Sequence, residues 1–262
     1  MKVRIGGWKE VSLVDVLEST SFSVWFNYCN FNCPWCSNIS LARNISGRTV
    51  DTSDIIKAFS LSKDLVEYFH VTGGEPTLQP KPLKELFLRI KNEFYVFNSL
   101  DTNGSNPSVL KDIIGLIDHL AIDIKSPLND LYKFSKITGV PLNLSKIFIE
   151  RIKKSLILSL NVDFLELRTT IIPGIINVND VKQIGVDIKE IAEKFEGNRI
   201  VYVLQQYVPY ASIINKYYRN LSRTSISFLK KLGEVLVYEL PDNIEIYIRT
   251  LEEGAKKISE YF

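Results

Sequence analysis

An alternation of short apolar segments with longer amphipathic ones constrains the fold of this chain more than any other feature of its 262 residues. The short segments are rich in valine, isoleucine and aromatic residues and are apolar at nearly every position, which is typical of strands covered on both faces. Strands are expected at 22–26, 65–71, 94–100, 120–124, 164–171 and 200–204. Helices are expected at 51–60, 82–92, 107–117, 128–137, 145–160 and 178–195.

This alternation, with its short connections, predicts parallel βαβ units. We therefore expect an α/β fold in which six units form a partial (β/α)6 barrel, similar to a TIM barrel but open along one lateral face. A core of about 20–206 should be followed by a small C-terminal α/β extension, about 207–262, with a helix at 222–238, a strand at 244–248 and a final helix from Glu252. Because no repeat, low-complexity tract or linker interrupts the chain, residues 1–262 are predicted to form a single domain.

Composition and charge exclude several classes of protein. The net charge is +2, so no global charge favours nucleic acid or an anionic membrane as a partner. No apolar run approaches the roughly 20 residues that span a bilayer, and residues 1–10 lack the apolar segment of a secretory signal. We therefore expect a cytoplasmic protein. Tyrosines and basic residues alternate at 207–231, a composition that can bind single-stranded nucleic acid, but a solvated helix face or a protein-docking edge is the simpler interpretation.

All three cysteines lie within eight positions, directly after the first predicted strand. Cys29, Cys33 and Cys36 have the spacing C-x3-C-x2-C. An odd, clustered set of thiols in a reducing compartment indicates metal ligation and not a disulfide framework. Thiolates suit iron–sulfur clusters and zinc. Three of them leave one iron of a [4Fe-4S] cluster open to a further ligand, whereas a structural zinc normally needs four protein ligands.

Other interpretations of the same residues remain open. His70 would be the fourth ligand of a zinc site, although its position after an apolar run favours a strand residue near the core. Buried, inert thiols are disfavoured because Asn30, Asn32 and Pro34 make the segment a loop. His119 begins a predicted strand, and a structural role is expected for it.

A second group of polar residues lies where the chain leaves the predicted strands. These are Thr72, Gly73, Gly74 and Glu75; Asp101, Thr102, Asn103 and Gly104; Asp123 and Lys125; Arg168; and Gln205 and Gln206. Asp123 and Lys125 are two residues apart and so face the same side of a strand, where a charged pair must be solvated or engaged. Barrel enzymes place their active sites at the carboxyl ends of the strands. We therefore expect these side chains to share a pocket with the cysteines.

The cysteine spacing, with aromatic Trp35 before the third cysteine, resembles the signature of the radical S-adenosylmethionine (SAM) superfamily. The segment from Gly73 to Pro76 resembles the superfamily's GGEP segment, which binds the amino group of the methionine moiety. The resemblance implies that Cys29, Cys33 and Cys36 hold a [4Fe-4S] cluster and that Trp35 lies beside the adenine of SAM. The bound cofactor is then cleaved by one electron to methionine and a 5′-deoxyadenosyl radical.

Within this superfamily the chain resembles the activases of glycyl-radical enzymes, which include the activating enzymes of pyruvate formate-lyase and of anaerobic ribonucleotide reductase. The resemblance spans most of residues 4–206 and is carried by 12–15, 36–38, 101–104, 123–125 and 168–174. It implies a SAM site that contains Asn38, Gly73, Gly74, Glu75, Asp101, Asn103, Asp123, Lys125 and Arg168, with Lys125 at the cofactor carboxylate. It also implies that Asp101, Thr102 and Asp123 hold a monovalent cation against that carboxylate.

The partners implied by this resemblance are a glycyl-radical enzyme and a one-electron donor such as ferredoxin or flavodoxin. No protein base is expected, because the radical abstracts a hydrogen atom and not a proton. The chain departs from the activases at 16–18, where Val-Leu-Glu replaces Tyr-Pro-Gly, and at 205–207, where Gln-Gln-Tyr stands near the position of a histidine. Two further functions therefore stay open: a small-molecule radical SAM enzyme similar to 7-carboxy-7-deazaguanine synthase, and a non-catalytic zinc-binding interaction module.

Overall fold

The computed structural model describes residues 1–261, and within that range it forms one ten-stranded sheet flanked by helices. The strands are β1 (Lys2–Ser12), β2 (Ser21–Phe26), β3 (Arg48–Asp51), β4 (Tyr68–Gly73), β5 (Phe97–Thr102), β6 (His119–Asp123), β7 (Phe164–Ile171), β8 (Arg199–Gln206), β9 (Ile244–Thr250) and β10 (Gly254–Lys257). The helices are α1 (Ile39–Ala42), α2 (Thr52–Ser60), α3 (Pro80–Glu93), α4 (Pro107–Ile113), α5 (Leu131–Thr138), α6 (Leu142–Leu158), α7 (Val178–Lys194), α8 (Lys216–Arg219) and α9 (Ile226–Glu239).

The strand order is β10-β9-β8-β7-β6-β5-β4-β2-β1-β3. Strand β2 and strands β4 to β9 are parallel to one another, and the antiparallel strands β1, β3 and β10 lie at the two ends of the sheet. Because parallel neighbours are joined by helical crossovers, the carboxyl ends of the parallel strands lie along one edge. This order confirms the predicted α/β architecture, and β9 extends the parallel array from the C-terminal segment.

The two faces of the parallel strands carry different side chains, since successive residues point to opposite sides. Apolar residues such as Val24, Val71 and Leu167 belong to the main core, which also contains the buried faces of the helices. The intervening residues include Ser23, His70 and Glu166, which are polar and fully buried. The interior face of the sheet is therefore available for polar chemistry.

The connection between β1 and β2 shows that the sheet curls toward itself. Leu17, in this connection, packs in a small apolar cluster with Phe164, Val201 and Tyr247, which lie on strands at the other side of the sheet. Glu18 pairs with Arg199 at 2.8 Å. We call residues 13–18 the strap. It closes part of the lateral opening that a partial barrel leaves between its first and last strands.

The predicted final helix from Glu252 is wrong. The chain turns at Gly254, whose φ of 72° lies in the left-handed region that glycine favours. It then returns as β10, which pairs antiparallel with β9, before a short 3-10 turn at Ile258–Tyr261. Strands β1 and β3 were not expected from the sequence. No helix within residues 1–261 combines the length and the apolar composition that crossing a bilayer would require.

Candidate active site

A cavity of about 720 Å³ opens at the carboxyl ends of the parallel strands. One side is formed by the cysteine loop, which connects β2 to α1, and the other by β7, β8 and β9. The strap and the segment around Tyr210 contribute to its rim. Of the residues singled out from the sequence, the cavity is lined by Cys29, Cys33, Trp35, Cys36, Asn38, Thr72, Gly73, Gly74, Asp101, Thr102, Asn103, Asp123, Lys125, Arg168, Gln205 and Gln206.

The cysteine loop is held at both ends by backbone and side-chain hydrogen bonds. The backbone N–H of Cys29 donates to the carbonyl of Ala42 at 3.0 Å, and Trp35 Nε1 donates to the carbonyl of Ile137 at 2.9 Å. Phe31 is buried in the main core, so the loop is anchored between the two polar contacts. These contacts fix the loop over the strand ends with all three thiols free and half-buried.

Burial dominates the protonation of the three thiols. It raises the pKa of Cys29 to about 11 and that of Cys33 to about 12, and it raises the pKa of Cys36 as well. Lys125 opposes each shift because its positive charge favours thiolates. Soft sulfur donors in one sheltered loop beside a cation have the chemistry that suits an iron–sulfur cluster, whose iron ions favour the deprotonated form. Within residues 1–261, no three histidine, cysteine, aspartate or glutamate side chains are gathered closely enough to hold a metal ion as they stand.

Gly73 and Gly74 bring the end of β4 against the cysteine loop. A Cβ at Gly73 would lie 2.3 Å from the carbonyl oxygen of Phe26, and one at Gly74 would lie 2.0 Å from that of Tyr28. Gly73 also has a φ of 120°. The backbone N–H of Gly74 donates to the carbonyl of Phe26 at 2.9 Å. Glycine is required here because only a bare backbone permits the approach.

Glu75 is completely buried and lies below the cavity, not on its surface. Its carboxylate accepts hydrogen bonds from the hydroxyl of Thr102 at 2.8 Å and from the backbone N–H of Asn103 at 2.7 Å, and it also accepts from Thr77. Burial raises its pKa, and these donors oppose the shift. Glu75 therefore ties β4 to the end of β5, and its contribution to a cofactor site would be made through the backbone that it positions.

Arg168 bridges the two carboxylates that the sequence places at neighbouring strand ends. Its Nη2 lies 2.9 Å from Asp101 Oδ2, and its Nε lies 3.0 Å from Asp123 Oδ1. Lys125 Nζ lies 2.7 Å from the other oxygen of Asp123. Burial raises the pKa of Asp123, but the two cations outweigh it and hold that pKa at about 2.

The expected cation ligands are already engaged with protein groups. Asp101 and Asp123 are paired with Arg168, and the hydroxyl of Thr102 donates to Glu75. In this arrangement the guanidinium group supplies positive charge between the two carboxylates. A monovalent cation between the two carboxylates would compete with Arg168 for them, and the buried Oδ1 of Asp101 has no hydrogen-bond partner within residues 1–261.

Both histidines belong to a buried network beneath the cavity. His70 Nδ1 and His119 Nδ1 each lie 2.7 Å from Ser99 Oγ, and the two rings are fully buried. Neither histidine lines the cavity with the cysteines, so this geometry gives no support to His70 as a zinc ligand. Burial lowers the pKa of His70, in agreement with a neutral structural residue.

Three neighbouring side chains form part of the opposite wall, and Gln205 is the one that the sequence analysis placed at the cavity. Thr170, Gln205 and Arg249 lie side by side on β7, β8 and β9 and line the cavity. Arg249 was not identified from the sequence at all, because an isolated arginine in an apolar segment carries no motif. Its position two residues after Tyr247, an interior residue, is the one signal that could have placed it on this face.

Comparison with known proteins gives three findings. A sequence model of the radical SAM superfamily matches residues 23–202. A Methanocaldococcus jannaschii protein described as a "putative glycyl-radical enzyme activating enzyme" is 28% identical over 244 residues, which cover 90% of this chain and 92% of that protein. The 7-carboxy-7-deazaguanine synthase of Thermococcus kodakarensis is 31% identical over 121 residues, which cover 39% of this chain and 47% of that enzyme.

The fold is similar to that of solved structures with little sequence identity. The FeFe-hydrogenase maturase HydG from Carboxydothermus hydrogenoformans superposes with a TM-score of 0.64 at 13% identity. The match covers 86% of this chain and 52% of HydG. At that identity the similarity describes the fold alone, and it agrees with the partial barrel.

Proposed function

Since the chain belongs to the radical SAM superfamily, whose members use a [4Fe-4S] cluster and SAM, we propose that it activates a glycyl-radical enzyme. The cluster would be held by Cys29, Cys33 and Cys36. When bound, cluster and cofactor supply a 5′-deoxyadenosyl radical. That radical would take a hydrogen atom from the Cα of a glycine in the partner, so that one C–H bond breaks, another forms, and the unpaired electron remains on the glycine.

The observation that carries the proposal is the convergence of the cysteine loop and the charged strand ends on one cavity. Trp35 and the backbone of Gly73 and Gly74 would position the cofactor beside the thiolates. The Nζ atom of Lys125 lies 5.4 Å from the centroid of the Trp35 ring. It therefore places positive charge between the aromatic face and Asp123. A carboxylate of the cofactor would be attracted to Lys125 and Arg168.

The choice of a glycine as the target is supported by the similarity to the Methanocaldococcus protein, which extends over nearly all of both chains. The similarity to the deazaguanine synthases covers less than half of either chain. We expect the electron to come from a small donor such as ferredoxin or flavodoxin.

Electron paramagnetic resonance tests the proposed target directly. The reconstituted, reduced protein would be mixed anaerobically with SAM and with a candidate glycyl-radical enzyme from the same genome. We expect the doublet signal of a glycyl radical on the partner, and no such signal with the Cys36→Ser variant. Cleavage of SAM without a radical on any candidate partner would contradict the activase assignment and leave the superfamily assignment intact.

A small-molecule substrate is the second candidate, because the partial similarity to the deazaguanine synthases is found in several of them, with 36% identity over 107 residues for the Haemophilus influenzae enzyme. Consumption of a small carboxylated heterocycle, with no radical on a partner protein, would favour it.

A further inference from the structure

We propose that Thr170, Gln205 and Arg249 form a substrate wall that binds uncharged peptide groups of the molecule that loses the hydrogen atom. This inference rests on the proposed function and specifies which surface of the cavity recognises the partner's glycine segment. We use the name substrate wall for these three residues only.

The three residues form one row across adjacent strands. In the parallel register, Thr170 of β7 pairs with Gln205 of β8, and Gln205 pairs with Arg249 of β9. Since neighbouring strands are about 4.8 Å apart, the row is about 10 Å wide. All three side chains reach the cavity surface. A row of this width can contact two or three successive groups of an extended chain.

The wall presents hydrogen-bonding groups that the protein leaves available. Within residues 1–261, the side chains of Thr170 and Gln205 make no hydrogen bond to another protein group, although both line the cavity and are only partly exposed. Arg249 donates through Nη2 to Glu166 at 2.9 Å. Its guanidinium carries five N–H donors, so others remain for a ligand. A glutamine amide has the donor and the acceptor that one peptide group requires.

The charges of the substrate wall favour an uncharged ligand. The one cation among its three residues, Arg249, is already paired with Glu166. Glu166 is fully buried, and its nearest cation is Arg249 at 2.9 Å, with Arg168 farther away at 3.7 Å, so drawing Arg249 toward a new anion would weaken the pairing of a buried carboxylate. A carboxylated substrate would therefore find no free cation on the wall, whereas peptide groups need only the neutral donors and acceptors.

The wall also lies mainly outside the part of the chain that matches the superfamily. That match ends at 202, and both Gln205 and Arg249 follow it. The cysteine loop, β4, β5 and β6 all lie inside it. A surface that comes mainly from residues beyond the superfamily match, and that faces the cofactor side across a shared cavity, is the expected place for substrate recognition.

Deuterium transfer from a defined peptide tests the wall. The probe is N-acetyl-Ala-Gly-Ala-amide with two deuterium atoms on the glycine Cα, given to the reconstituted, reduced full chain at saturating SAM. The variants are Gln205→Met and Thr170→Val, which keep side-chain size and remove hydrogen-bonding groups. The matched control is Gln183→Met, on the outer helix α7 and away from the cavity. Deuterium in 5′-deoxyadenosine is measured by mass spectrometry, and SAM affinity by equilibrium dialysis.

We expect wild-type protein and Gln183→Met to transfer deuterium equally. Gln205→Met and Thr170→Val should each lower kcat/KM for the peptide about three- to tenfold, as for one lost hydrogen bond, with SAM affinity unchanged within about twofold. N-acetylglycine, which carries a free carboxylate, should be a poorer donor of deuterium than the capped peptide.

Three results would overturn the inference. They are equal transfer by the wall variants and wild type, faster transfer from N-acetylglycine than from the capped peptide, and no transfer from the capped peptide to wild-type protein that cleaves SAM. None of these results decides the proposed function, which depends on the glycyl radical of the partner. If that radical forms while the wall variants behave as wild type, the function stands and the wall is wrong.

Discussion

The two sides of the cavity differ in how their polar side chains are held. On the cofactor side, Glu75 accepts hydrogen bonds from Thr102 and Asn103 at the end of β5, and Arg168 joins Asp101 to Asp123. On the substrate wall, Thr170 and Gln205 have no hydrogen-bond partner within residues 1–261.

This difference indicates that the two sides serve ligands of different kinds. A cofactor that is always the same molecule can be bound by side chains that are already ordered, because prior ordering lowers the entropy cost of binding. A wall with available donors and acceptors instead completes its hydrogen bonds when the substrate arrives. Variants on the cofactor side should therefore change cluster content and SAM affinity, whereas variants near the wall should leave both unchanged.

The largest expected effect is the loss of the cluster in Cys33→Ser. Serine replaces a soft thiolate with a hard hydroxyl, and two thiolates alone hold a [4Fe-4S] cluster poorly. We expect iron and sulfide to fall well below about four each per chain after anaerobic reconstitution, and SAM cleavage to be abolished. Iron, sulfide and 5′-deoxyadenosine are measured together, with circular dichroism as the control for folding. Full cleavage by the variant would contradict the ligand assignment.

The next largest effect is expected on stability, from Leu17→Ala in the strap. Leu17 is 2% exposed and packs against Phe164, Val201, Val203 and Tyr247. Removing its side chain should lower the free energy of unfolding by about 3 kcal/mol, measured by urea denaturation. The matched control is Leu13→Ala, because Leu13 lies in the same strap but is 72% exposed. The SAM affinity of the folded variant should stay unchanged, and a parallel loss of affinity would contradict the separation of the two sides.

The cofactor side should respond to Asp123→Ala with a loss of SAM affinity. Asp123 orients Lys125 and Arg168 together, and its removal leaves the ammonium group of Lys125 without its nearest carboxylate. We expect the Kd for SAM to rise about tenfold to 150-fold, the range for one charge-assisted hydrogen bond. Equilibrium dialysis measures it, with the exposed Asp242→Ala as control. An unchanged Kd would remove Asp123 from the SAM site.

The cofactor side was largely predictable from the sequence because its residues occur in short local groups. Three cysteines within eight positions, two glycines after a strand, and Asp123 two residues before Lys125 each carry a signal that needs no tertiary information. The architecture followed from the alternation of strand and helix. The bridging of Asp101 and Asp123 by Arg168 was not predictable, because it depends on the distances between three strands.

Gln205 was expected at the cavity, but the row that it forms with Thr170 and Arg249 and the contacts of the strap were not predictable, because these residues meet only in the folded chain. Gln205 and Arg249 are 44 positions apart and are joined only by strand register. Glu18 reaches Arg199 because the sheet curls, and no local pattern reports that curvature. The end of the chain was predicted wrongly because Gly254 was not recognised as the turn of a hairpin.

A smaller effect is expected on the pH dependence of stability, from His70 beneath the cofactor side. Burial lowers the pKa of His70, so the folded protein binds this proton less readily than the unfolded chain, whose histidines titrate near 6.5. Neutral His70 therefore contributes its full share to the free energy of unfolding above about pH 6.5. That share is lost as the pH falls below about 6.5 toward the lower pKa of His70 in the folded protein. Between pH 7.5 and 5.5, wild-type apoprotein should lose about 1 kcal/mol more stability than His70→Asn. Equal losses in urea titrations of the two proteins would show that His70 is not buried as a neutral group.

The smallest expected effect is that of monovalent cations on SAM affinity. It tests whether Arg168 or a bound ion supplies the positive charge between Asp101 and Asp123. Because Arg168 already lies 2.9 Å from Asp101 and 3.0 Å from Asp123, we expect the Kd for SAM to differ less than about twofold between potassium and tetramethylammonium at equal ionic strength. In Arg168→Met the two carboxylates lose their shared cation, and potassium should then improve SAM binding measurably, because unscreened like charges repel. A severalfold loss of wild-type affinity in tetramethylammonium would instead support the cation site inferred from the sequence. It would also mean that Arg168 moves aside when the cofactor binds, so that the cofactor side is less fixed in advance than the contacts of Arg168 with Asp101 and Asp123 indicate.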